Sequence, residues 1–154
     1  MKHARNSTLI ALCFFTALCF AQTETIVWKL NEAKSKIPQT AVKSKVVTYA
    51  ILGGEGGTAR VTVEGEADGK PMRNEWMGKF DGKDYPLTGD SSADSRSYQK
   101  IGEHEMELTN KKDGKVVMTA RLVVSKDGKT RTVTAHGTND KGEKFEYTAI
   151  YDRE

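Results

Sequence analysis

The chain has 154 residues, with 24 Lys and Arg against 21 Asp and Glu and only two cysteines. That length suits one domain behind a short leader. Basic and acidic residues alternate without clustering, so the broad cationic face that nucleic acid requires is not expected.

The first segment reads as a leader. Lys2 and Arg5 precede an apolar run from Leu9 to Phe20, and small Ala21 follows, which is the layout of a secretory signal peptide over 1–21. The run is about a dozen residues, whereas a membrane-spanning helix needs about 20, so no stable membrane anchor is expected. Cys13 and Cys19 both leave with this segment, and Leu12 and Leu18 stand where a lipidated cysteine needs a small neighbour. Without Lys2 and Arg5 the balance becomes 22 against 21, so the net charge falls from +3 to +1. The remaining domain, 22–154, is expected in the periplasm or outside the cell. It has no cysteine for a disulfide, a thiolate metal site or a nucleophile.

Thr25 to Leu30 opens the domain as a strand. Asn31 to Lys45 holds four lysines and Pro38 with little pattern and reads as a connection in which no helix is required. From Val46 onward alternation with a period of two dominates. Val47, Tyr49 and Ile51 share a face, followed by Ala59, Val61 and Val63, then Trp76, Gly78 and Phe80. Tyr85 and Leu87, Met106 and Leu108, Val116 through Val124, Val133 and Ala135, and Phe145 through Tyr151 complete the series. Each run is a strand with one buried face. About ten such strands without a crossover helix predict an all-β, antiparallel up-and-down meander and exclude a parallel α/β fold.

The triplet Asp-Gly-Lys recurs at 68–70, 81–83, 113–115 and 127–129, each time between alternating runs. Asp-Gly suits tight hairpin turns, because both central residues take positive φ there. The spacing is irregular, so the triplets mark reversals and not a solenoid repeat. A longer glycine-rich loop runs from Leu52 to Thr58.

Motifs for chemistry are sparse. "GGEGG" lacks the Gly-Lys-Ser/Thr of a phosphate loop, and one aspartate per turn does not make a calcium loop. His104 stands between Glu103 and Glu105, but in a strand the two glutamates point away from it. His136 falls on the face opposite Val133 and Ala135. Glu64 with Glu66, like Glu103 with Glu105, lies about 7 Å apart on one strand face, as solvated charges do. "DSSADS" at 90–95 reads as a polar turn, and no Gly-x-Ser-x-Gly is present. No catalytic residue, metal site or cofactor is therefore expected.

The aromatics say more. Tyr49, Trp76, Phe80, Tyr147 and Tyr151 fall in the inward register, and a closed barrel of eight or more strands is wide enough to hold a small ligand if they do not fill it. They are the candidate ligand-binding residues, with Trp28 closing one barrel end and Gly78 leaving room between Trp76 and Phe80. On the strand from Val116 to Val124, the set Val116, Met118, Ala120, Leu122 and Val124 is the more apolar face, which places Arg121 outside. A ligand carboxylate then has no evident partner.

"TIVWKLNEAKSK" near the start, "DGKDYP" and "VVSKDGKT" internally and "FEYTAIYDRE" at the end resemble the calycin group of lipocalins and fatty-acid-binding proteins. The chain resembles more closely the small exported bacterial lipocalin-like proteins of uncharacterised function. Ile26 stands where lipocalins usually carry glycine before the tryptophan. Ala149 precedes Tyr151 where fatty-acid-binding proteins carry Arg-x-Tyr, so that clamp is not carried over. The resemblance implies a barrel of about 8–10 strands that acts as a monomer and binds a small hydrophobic or amphipathic molecule inside. Two other readings stand beside it: a filled barrel acting through its surface in the envelope, and a calycin-type cyclase or isomerase, which requires a titratable group inside.

Overall fold

The computed structural model describes residues 23–53 and 56–154. The expected signal segment, 1–21, and two residues of the glycine-rich loop lie outside the described residues. Ten strands follow in order: β1 Thr23–Leu30, β2 Lys43–Leu52, β3 Thr58–Ala67, β4 Lys70–Gly78, β5 Tyr85–Thr88, β6 Ser95–Gly102, β7 Glu105–Lys112, β8 Lys115–Val124, β9 Thr130–Thr138 and β10 Lys144–Arg153. Each pairs antiparallel with the next, and β10 returns to β1, so the meander closes into a barrel. This is the all-β, antiparallel up-and-down architecture that the alternating runs imply, closed into the barrel that the resemblance implies. Between β1 and β2 there is a single 3₁₀ turn, Glu32–Lys34, capped by the Asn31 side chain, which accepts from the Lys34 N–H.

The connections divide between two ends. At one end lie the β1–β2 connection and the β3–β4, β5–β6, β7–β8 and β9–β10 turns; at the other lie the β2–β3, β4–β5, β6–β7 and β8–β9 connections. Strand β5 is the shortest, and its ladder to β4 is limited to Glu75 with Thr88 and Trp76 with Leu87.

The four Asp-Gly-Lys triplets do mark reversals, but they divide into two kinds. Asp68 and Asp113 have φ of 50° and are followed by Gly69 and Gly114 at 71° and 74°, as the two-residue turn with both central φ positive requires. At Asp81 and Asp127 only the glycine is left-handed. There the carboxylate instead accepts the N–H two residues on, from Lys83 and Lys129 at 3.1 Å each. That bond draws the Asp81 carboxyl below its ordinary range, and the Ser125 hydroxyl does the same for Asp127.

Alternation is interrupted on β8. Asn110 pairs with Met118 but Lys111 pairs with Val116, leaving Val117 as an extra residue. A bulge of this kind shifts the side-chain phase. Val116, expected on the inner face, is 57% exposed, while Val117 packs against the core. Beyond the bulge the expected phase holds: Ala120 and Leu122 are buried, and Arg121 is outside, paired with Glu105.

Gly78 corrects a second expectation. Its missing side chain does not leave open room, because a Cβ there would lie 2.5 Å from Tyr85 Cγ and 2.6 Å from the Trp76 ring. Gly78→Ala is expected to cost about 1–3 kcal/mol through overpacking. Urea denaturation checks this, and an unchanged midpoint would contradict the close approach.

Candidate functional site

Large aromatic side chains from β2, β4 and β6 occupy part of the interior. The Trp76 ring is 4.8 Å from Tyr98, 5.8 Å from Tyr85 and 6.1 Å from Phe80, centroid to centroid. Tyr49 reaches the same group, 6.3 Å from Tyr98 and 6.4 Å from Phe80. The Trp76 Nε1–H donates to the Arg96 carbonyl at 2.8 Å, so even the indole's polar atom is satisfied. Buried Arg131 lies beside this cluster, its guanidinium 4.6 Å from the Tyr151 ring, 5.2 Å from Trp28 and 5.5 Å from Tyr49. Its Nη1 donates to the Tyr49 hydroxyl at 2.9 Å, while Tyr151 donates its own hydroxyl to the Ser44 carbonyl. Three ring faces around one cation offset part of the cost of burying it.

Toward the end formed by the β1–β2, β3–β4, β5–β6 and β9–β10 connections, packing gives way to a cavity of about 280 Å³. Met72, Val117, Met118, Phe145 and Tyr147 supply apolar wall, and Ala41, Asp68, Asp90 and Asp140 belong to its rim connections. Phe145 and Tyr147 stack with centroids 6.1 Å apart. Asn74, Arg96 and Asn110 also line it. Each is two residues along an inner face from a packed core residue, Trp76, Tyr98 and Leu108 respectively, so these polar groups form the floor.

Of the six aromatics singled out from the sequence, Tyr147 alone lines this cavity; Trp28, Tyr49, Trp76, Phe80 and Tyr151 belong to the packed part. The polar floor went unrecognised in the sequence, as did Arg131. The signal was present in the period of two: Arg96 precedes Tyr98, Asn74 precedes Trp76, Asn110 follows Leu108, and Arg131 precedes Val133 and Ala135. Charged residues are rarely buried without a partner, so the period of two alone does not place an arginine inside.

That rarity gives the site its character. The Arg96 Nε donates to Asn110 Oδ1 at 2.7 Å, but Nη1 has no protein partner, and neither has Asn74 Oδ1. Among the described residues no carboxylate forms an ion pair with Arg96 or Arg131. The tyrosines do not supply the missing charge either. Burial pushes the Tyr98, Tyr147 and Tyr151 hydroxyls above their ordinary 10.0, although Arg131 pulls each of them the other way. At neutral pH the interior therefore holds two cations and neutral phenols.

This set can bind and orient a ligand. Arginine keeps its proton and amides do not titrate, so the titratable carboxylates of the cavity are those of Asp68, Asp90 and Asp140. Among the described residues no His, Cys, Asp or Glu group could hold a metal ion. His104 and His136 are both exposed. No protein-family model, curated protein or solved structure matches the chain.

Proposed function

We propose that the chain is an exported, lipocalin-like barrel that takes a small amphipathic molecule into the cavity behind Tyr147. The observation that carries this reading is the pairing of an apolar wall with the buried polar side chains Asn74, Arg96 and Asn110 at the floor of the same cavity. Ligand sites are mostly apolar with a few placed polar groups, and volumes run from about 300 Å³ upward, so the ligand is small. Lys2, Arg5 and the apolar run to Phe20 support export. The rim is tied by an exposed ion pair, Lys141 Nζ 2.8 Å from Asp68 Oδ2, and by a part-buried hydrogen bond that Asn139 Nδ2 donates to the Thr40 carbonyl at 3.2 Å. An exposed ion pair contributes little to stability, and these two contacts leave the mouth able to open. The filled-barrel alternative describes the aromatic part of the interior but not the cavity beside it.

Native mass spectrometry of protein taken from its own host envelope tests the reading, together with Val117→Trp to obstruct the wall. A small-molecule adduct on the wild type, lost in Val117→Trp with the thermal midpoint retained, is the expected result. Empty protein that also takes up no added amphiphile would overturn it.

A further inference from the structure

We infer that Asp113-Gly114, in the β7–β8 turn, is the preferred site of spontaneous isoaspartate formation among the four Asp-Gly-Lys triplets. In that reaction the glycine nitrogen attacks the neutral carboxyl carbon of the preceding aspartate. A C–N bond forms, and the hydroxyl leaves with the amide proton as water. Water then reopens the cyclic imide at either carbonyl, so no outside reagent is consumed and no electrons are exchanged. Opening at the main-chain carbonyl routes the chain through the side chain and makes it one carbon longer.

The triplets share one local sequence, and all four aspartates are exposed, so neither neighbouring residue type nor access to water distinguishes them. The difference lies in whether the two reacting groups are held. At Asp81-Gly82 both are: the carboxylate accepts the Lys83 N–H and the Tyr85 hydroxyl at 3.1 Å each, and the Gly82 N–H donates to the Tyr98 carbonyl at 2.9 Å. At Asp127-Gly128 the carboxylate accepts the Ser125 hydroxyl at 2.6 Å and the Lys129 N–H at 3.1 Å, and the Gly128 N–H donates to the Ser125 carbonyl at 2.8 Å.

Asp68 and Asp113 occupy the other kind of turn, with the same φ of 50° at each aspartate. There neither the Gly69 nor the Gly114 N–H donates to another described residue. The two differ at the carboxylate. Lys141 Nζ holds Asp68 Oδ2 at 2.8 Å, whereas the Asp113 carboxylate has no ion-pair partner among the described residues. The Asp113 N–H donates to Asp94 Oδ2 at 2.8 Å, which steadies the turn without occupying either reacting group. The added carbon would fall between Lys112 and Lys115, the last pair of the β7–β8 ladder, in a two-residue turn that has no place for it.

Peptide mapping of the folded chain during prolonged incubation tests this, with fragmentation that cleaves the Cα–Cβ bond of isoaspartate. Asp113 is expected to convert about tenfold faster than Asp81 and Asp127, where hydrogen bonds must open first, and about threefold faster than Asp68, where one exposed ion pair must. Lys141→Ala should bring Asp68 up to the Asp113 rate. In the urea-unfolded chain the four sites should convert alike. Equal rates in the folded chain, or Asp81 or Asp127 leading, would overturn the inference, as would an Asp68 rate that Lys141→Ala leaves unchanged. A lead for Asp113 already present in the unfolded chain would assign the preference to sequence and overturn it too.

Discussion

Trp76→Ala is expected to lower the unfolding free energy by about 3–5 kcal/mol, the range for deleting a large aromatic side chain from a core. Trp76 is 0% exposed, lies against Phe80, Tyr85 and Tyr98, and bonds the Arg96 carbonyl. Native domains are stable by only about 5–15 kcal/mol, so the variant should be close to unfolding. Trp76→Phe separates the two contributions: it retains ring bulk but loses the bond to the Arg96 carbonyl, at an expected cost of about 0.5–1.5 kcal/mol. Urea denaturation measures both. A loss below about 1 kcal/mol for the alanine variant, smaller than any aromatic deletion from a packed core, would mean that the aromatic cluster is not tightly packed.

The second large effect is alkaline unfolding. Burial is the main cause raising Tyr98 and Tyr151 above the ordinary 10.0, with Tyr49 adding to it for Tyr98 and Tyr147 for Tyr151. Above pH 10 the unfolded chain gives up these protons while the folded chain keeps them. The folded state then binds more protons, so stability falls as pH rises. The contribution is fully present below the unfolded value and is lost as pH climbs toward the raised folded values. Each tyrosine gives up to about 1.4 kcal/mol per pH unit, about 2.7 kcal/mol for the pair. Denaturation at a series of pH values from 8 to 12 should show a plateau and then a steep decline, and Tyr98→Phe should lower the slope by roughly a third, since Tyr147 and Tyr151 keep their raised values. A flat profile through pH 11 would refute the burial argument.

Most of the barrel was legible in the sequence because strand and turn signals are local. Alternation around Val61, Trp76, Leu122 and Ala149 identified the buried faces, and the Asp-Gly pairs identified reversals. Phase and volume were harder. The extra residue at Val117 shows itself only against its partner strand, since Asn110 and Lys111 straddle it. Gly78 invited a reading of vacant space because Tyr85, seven residues on, folds back over it. Of the candidate aromatics Tyr147 lines the cavity, whereas the other five pack in the core. Whether inward side chains meet or leave a gap depends on their sizes across the barrel. No single strand's pattern carries that information. Arg96 and Arg131 followed the inward period all along, and only the expectation that charge seeks water hid them.

The wall is thinnest in hydrogen bonds at β5, and the Trp76 indole spans that stretch, tying β4 to the β6 carbonyl of Arg96. The same residue of β6 thus serves two masters: its main chain anchors a tie across the barrel's shortest stave, while its side chain lines the cavity. Mechanical continuity of the hoop and placement of the charge are therefore not separable traits. A change that loosens one moves the other, and a bound molecule pressing on that guanidinium would brace the wall where it is least laced.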